Sequence, residues 1–280
     1  PIIIKRISIK SLSMQKWKKL MKFGLPFLPA GIFSMIMELS DRYILYFLTD
    51  IETVGLYNSG YKIGMLMLLV VMGFNMAWQP FFLNKKKEDR DYITQVTTVI
   101  LFLLVFLWIL LLIWSEDIVK LQLGSVTLLG KEYWESTRII PIIALSYIFH
   151  ALYLLQLPGV YLLGKSSCIA WVRGIGAGTN IILNFVLISH YGLMGAAGAT
   201  CFSFLLMVVI FYLINRKIFH ISYNWGNLGL ISITAGLIFI IQYNFQSNLS
   251  MKIIISISYP IILIFTKVIR INQIRSILKN

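Results

Sequence analysis

The chain has 280 residues, of which 58% are apolar, 14% aromatic and 13% charged; 25 Lys and Arg against 11 Asp and Glu give it a net charge of +14. Water-soluble domains hold about 45–50% apolar and about 25% charged residues, so a single water-soluble domain is excluded, as is a disordered chain, which needs low hydrophobicity. A surplus of base often signals nucleic acid, but with this apolar excess it points to a polytopic membrane protein whose basic residues face the cytoplasm, with no nucleic-acid partner.

Residues 1–22 read as a basic cytoplasmic N-terminal segment, with Lys5, Arg6, Lys10, Lys16, Lys18, Lys19 and Lys22 spread along it. No small-residue cleavage site follows the next apolar run, so it does not read as a signal peptide. Pro1 in place of Met suggests a processed chain or one cut from a longer protein. Eight segments after it approach the roughly 20 apolar residues of a membrane span: 23–48, 56–83, 93–114, 139–163, 167–188, 193–215, 228–243 and 251–266. The last two are the shortest. The stretch from Gly174 to Asn215 holds no Asp, Glu, Lys or Arg, and Ser189-His190-Tyr191-Gly192 gives it a polar turn, so a helical hairpin is expected there.

Loop charges alternate along this order. The turn near Asp50 and Glu52 is acidic, and Lys85-Lys86-Lys87 with Arg90 is basic. The outer segment 115–137 holds Glu116, Asp117, Glu132 and Glu135 against two Lys. Lys165, the pair Arg216-Lys217 and the tail with Lys267, Arg270, Arg275 and Lys279 are basic, separated by uncharged turns. Basic loops on alternate sides predict both termini in the cytoplasm. Trp17, Trp78, Trp114, Trp134 and Trp225 fall near span ends, where amphipathic rings anchor at the interface.

Ionisable residues within the spans are the candidate functional groups, since each costs at least about 2.5 kcal/mol to place in hydrocarbon. The first span carries Glu38, Asp41 and Arg42, and the second carries Lys62. Glu38 and Arg42 are one turn apart with the acid first. Arg42 and Lys62 each lie about 9 Å from the outer end of their span. The four are expected to form one charged cluster in the outer half of a cavity, with snorkelling plus a local ion pair as the plainer reading. Arg173 in the fifth span is either a snorkelling side chain or an anion contact, and His150 in the fourth either a packing residue or a proton relay. Asn180 with Asn184, and Asn75 with Gln79, are pairs one turn apart that suit hydrogen bonding between helices. Pro26, Pro29, Pro80 and Pro158-Gly159 mark expected bends.

Chemistry of the soluble type is not evident. Cys168 and Cys201 form no CxxC pair, and the three histidines fall at different depths, so neither a disulfide framework nor a metal site is expected, and no cofactor. The glycine run Gly174, Gly176, Gly178 lies inside an apolar span and is a packing surface rather than a nucleotide loop.

Five stretches, taken in order, resemble a known family. Phe23-Gly24-Leu25-Pro26-Phe27-Leu28-Pro29 is similar to the opening of the seventh helix of bacterial polysaccharide flippases, and Ser40-Asp41-Arg42-Tyr43 to their DR element. The run from Val54 to Gly64, then Ala77-Trp78-Gln79-Pro80-Phe81, and the run from Tyr191 to Thr200 resemble three further motifs of that family. These are the Wzx-type O-antigen and capsule repeat-unit flippases of the MOP exporter superfamily. The resemblance implies an all-α, MATE-like helical bundle in the bacterial cytoplasmic (inner) membrane: a second six-helix lobe over residues 23–217 and two additional helices with a basic tail over 218–280. It implies a flippase, not an enzyme, that moves undecaprenyl-diphosphate-linked oligosaccharides to the outer leaflet by alternating access. Arg42, Lys62 and Arg173 would then contact the anionic substrate, and Glu38, Asp41 and His150 would serve gating or ion coupling. The implied partners are the lipid-linked oligosaccharide, membrane lipid, a missing first lobe or another copy, and polysaccharide polymerase and chain-length proteins. A chain beginning just before the second lobe is expected not to transport alone. Two other readings remain: a multidrug exporter of the same superfamily, which favours acids over bases in its cavity, and a membrane polymerase or ligase, which needs a longer outer loop.

Overall fold

The structure is a computed structural model and describes residues 13–84, 90–124, 126–244 and 248–268. Most of the basic N-terminal segment, the basic loop 85–89 and the tail after residue 268 lie outside the described residues, and with them Lys5, Arg6, Lys10, Lys85, Lys86, Lys87, Arg270, Arg275 and Lys279.

Lysines and apolar residues interleaved at helical spacing form α1 (Met14–Gly24), an amphipathic helix with no buried residue. Pro26 precedes α2 (Phe27–Leu48); its fixed φ and missing N–H suit a helix start. Asp50 caps α3 (Ile51–Gly64), accepting the Thr53 N–H at 2.7 Å. That backbone hydrogen bond holds the Asp50 carboxyl below the usual carboxylate range. The helix breaks at Met65, and α4 (Leu66–Asn84) completes the second span with Pro80 inside it. The 30-residue α5 (Arg90–Val119) crosses next. A two-residue antiparallel ladder, β1 (Gln122–Leu123) on β2 (Val126–Thr127), and a 3-10 helix (Lys131–Arg138) make the longest connection. Then come α6 (Ile140–Leu155), the short α7 (Pro158–Leu162) after the expected bend at Pro158, α8 (Ser167–Ile218), α9 (Trp225–Asn244) and α10 (Leu249–Phe265).

Among the described residues, six stretches are long and apolar enough to cross a bilayer: Met14–Leu48, Leu66–Leu83, Tyr92–Val119, Ile140–Leu162, Ser167–Ile218 and Trp225–Gln242. The fifth is two crossings in one. Its 52 residues are interrupted at Gly192, with φ 54° and ψ −131°, a conformation open to glycine and strained for other residues. Beyond Gly192 the chain returns along itself. The Asn180 amide meets the Thr200 hydroxyl at 3.3 Å, Gly195 lies against the Leu187 backbone, and Gly176 faces Met207. The expected hairpin is present, and the chain is an all-α polytopic membrane bundle apart from that small ladder.

The core centres on α6, which packs against α3, α4, α5 and α8 and buries Ile143, Ala144, Tyr147, Ile148 and Ala151. Gly60 and Gly64 let α3 approach it closely. A Cβ on Gly60 would sit 2.6 Å from Ile139 Cγ1, and one on Gly64 2.8 Å from Ile143 Cβ. Trp17 and Trp225 are exposed as interface anchors should be, but Trp78 is buried among Phe74, Phe81 and Phe82 and is a core residue. Trp114 and Trp134 are half-buried, and their indole N–H groups donate to Ser256 Oγ and Leu129 O.

Candidate translocation site

The DR pair of α2 is built into the fold. Asp41 is fully buried, and its carboxylate accepts the Tyr57 hydroxyl at 2.6 Å and the Arg42 backbone N–H at 2.8 Å. Arg42 lies 3.5 Å from the same carboxylate, donates from Nε to Asn58 Oδ1 at 2.7 Å and from its guanidinium to the Glu38 carbonyl, and sits 4.2 Å above the Tyr61 ring. Tyr61 passes the connection on, its hydroxyl 2.9 Å from that of Tyr147 on α6. The first two spans are therefore clamped together, and to α6, by polar contacts rather than by apolar packing alone. A charge-assisted hydrogen bond in such surroundings contributes about 1.5–3 kcal/mol.

Beside this clamp lies a cavity of about 90 Å³ whose wall includes Ser34, Glu38, Tyr147, His150, Tyr153 and Arg173. Tyr61 also borders it. Arg173 is positioned by α8: its Nε donates to the Tyr153 hydroxyl at 2.9 Å and Nη1 to the Ala30 carbonyl at 3.3 Å. Glu38 has no ion-pair partner among the described residues. His150 packs on Phe204, ring centroids 4.9 Å apart, and its Nδ1 is buried without a hydrogen-bond partner. The cavity thus holds an unpaired acid, a half-fixed guanidinium and an imidazole at the centre of a helix bundle. Groups of that kind suit an anionic ligand or a mobile proton.

The expected four-residue cluster is brought together in part. Glu38, Asp41 and Arg42 adjoin one another, but Lys62 is exposed and makes no ion pair among the described residues. Tyr61, one position before it, takes the inward face of α3, and a helix turns the next side chain by about 100°. Lys62 stands one turn beyond Asn58, the Arg42 acceptor. Arg173 and His150, placed separately by the sequence, meet Glu38 at the cavity. Sequence reasoning passed over Tyr57, Tyr61, Tyr147 and Tyr153. The available signal was Tyr57 and Tyr61 at i, i+4 opposite an intramembrane Asp-Arg pair.

A second buried polar group lies behind α2. Ser40 donates to Asn180 Oδ1 at 2.7 Å, and Asn184 donates to the same oxygen at 3.0 Å. The asparagine pair therefore bonds α8 to α2 as well as joining the two halves of the hairpin.

The comparisons extend this picture. Residues 2–86 match the family model for polysaccharide biosynthesis proteins. No curated protein matches the chain. Among solved structures, the lipid II flippase MurJ in an inward closed conformation superposes with a TM-score of 0.67 at 20% identity, over 95% of this chain. The chain spans 59% of the length of that protein. The geometry and both comparisons lead to one conclusion: this is a polytopic membrane chain with the fold seen in the lipid II flippase MurJ, and its residues 2–86 carry the sequence pattern of polysaccharide biosynthesis proteins.

Proposed function

We propose that the chain takes part in moving a lipid-linked oligosaccharide, an undecaprenyl-diphosphate repeat unit of the O-antigen or capsule type, across the bacterial inner membrane by alternating access. In this reading residues 23–217 form one lobe, 218–280 add two helices and a basic tail, and both termini lie in the cytoplasm. The supporting observation is the cavity that joins Glu38, His150 and Arg173 inside the bundle, on a fold shared with a lipid II flippase. Arg173 is the cation on the cavity wall and is the anion contact. Lys62, exposed and unpaired, is free to contact substrate or the facing half of the transporter. Arg42 is spent on Asp41, Asn58 and Glu38, so its role is to hold the site together. Glu38 and His150 are the titratable groups facing the ligand and carry ion coupling. Asp41, held by Tyr57, transmits that change to α3.

The test is complementation in a strain lacking its lipid-linked oligosaccharide flippase. Wild type supplied together with a first lobe is expected to restore surface polysaccharide, and these 280 residues by themselves are not. Arg173→Ala should lose it while protein level and drug tolerance stay unchanged, and Arg173→Lys should retain part of it. Unchanged polysaccharide with altered drug tolerance would establish the multidrug reading instead.

A further inference from the structure

Arg173 faces two cavities. The second, of about 220 Å³, is lined by Asn75 and Gln79 on α4, by Phe82, Tyr161 and Leu157, and by Arg173 itself. Asn75 and Gln79 are one turn apart, and neither amide makes a hydrogen bond among the described residues. Amides without partners are costly inside a bilayer, and a leucine at either position would favour the helix. They are therefore turned toward something polar.

We infer that this second cavity is a sugar subsite, which receives the first sugar of the lipid-linked substrate while the diphosphate lies at Arg173. A phosphate only accepts hydrogen bonds and would leave both amide oxygens unpaired. A hydroxyl donates and accepts, and each amide offers both a donor and an acceptor. The rings of Phe82 and Tyr161, with centroids 5.8 Å apart and planes tilted by 39°, supply an apolar aromatic wall for the C–H face of a pyranose. In a glycosyl diphosphate the first sugar is bonded directly to phosphate, so an anion contact and its sugar subsite must adjoin. Arg173 is the residue common to the two cavities. The inference rests on the flippase reading and adds to it the residues that distinguish a sugar-bearing substrate from the bare lipid diphosphate.

The experiment measures binding to the full protein in nanodiscs. The probes are undecaprenyl diphosphate alone and the same lipid bearing one hexose or one N-acetylhexosamine. Wild type should bind a sugar-bearing probe about tenfold more tightly than the bare lipid. Asn75→Leu and Gln79→Leu should each remove most of that gap, leaving affinity for the bare lipid and the thermal midpoint undiminished. A gap that survives in both variants, or its absence in wild type, overturns the sugar subsite and leaves the flippase reading standing. Wild type that binds no probe overturns both.

Discussion

Asp41 is fully buried in the bundle because three groups answer its carboxylate, and Tyr57 supplies the shortest of those contacts. Tyr57→Phe keeps the ring and deletes the hydroxyl, leaving a buried charge short of one donor. It should lower unfolding stability by about 1.5–3 kcal/mol, read as a fall in thermal midpoint in detergent. Asp50 gives a pH-dependent counterpart at the exposed end of α3. Its carboxyl is depressed in the folded chain by the Thr53 N–H. Its contribution is thus fully present above the unfolded carboxylate range, near about pH 4, and lost as pH falls through the lower folded value. Asp50→Asn keeps an uncharged cap, so the stability difference between wild type and this variant should hold steady above the ordinary carboxylate range and shrink as pH falls below about 4. At this scale the sequence made the charges legible but not their partners. Glu38, Asp41 and Arg42 were readable as a group from spacing alone. The tyrosine network was not, because a tyrosine's apolar body suits any span and only the fold shows where its hydroxyl points. That Lys62 stays outside the ion pair of Asp41 and Arg42 was not legible either, because depth along a helix is readable without its azimuth.

Helix breaks and close approaches decide how the spans are arranged. Gly64→Val would force a side chain into the space held by Ile143 and should cost about 1–3 kcal/mol through overpacking. Gly192→Ala would place a Cβ on a positive-φ residue with open space around it, so its cost, about 1–3 kcal/mol, is conformational. Gly178→Ala is the control: the site is helical and open, and alanine there should be neutral or stabilising by up to about 1 kcal/mol. Thermal midpoints of the three variants in one detergent distinguish these outcomes. The span positions and the hairpin at Gly192 were legible because apolar length and absence of charge are one-dimensional signals. The break at Met65 was not, since the run from Leu56 to Leu83 is apolar on both sides of it. Trp78 was misplaced at an interface for a related reason: it lies near a span end, but Phe74 and Phe82 enclose it.

Across the whole molecule, large apolar side chains such as Leu28, Ile32, Met35, Trp171, Ile182 and Phe265 are exposed, the surface of a chain whose solvent is hydrocarbon. The fold-back of α8 can be tested directly. With Cys168 and Cys201 replaced by Ala, cysteines at positions 176 and 207 should form a disulfide on oxidation and lose reactivity to a thiol reagent. In a straight helix those positions would be about 46 Å apart, and both thiols would stay free. The same fold-back bears on how the protein is made. The tip of the hairpin carries Ser189 and His190, both of which bond back to the Val186 carbonyl. No charge has to be carried across between Gly174 and Asn215. Neither half ends on a translocated anchor that would hold it in place alone, so the two should leave the insertion machinery as one unit. A force-sensing arrest peptide placed along this region would then report a single pull when the second half emerges, instead of one for each half.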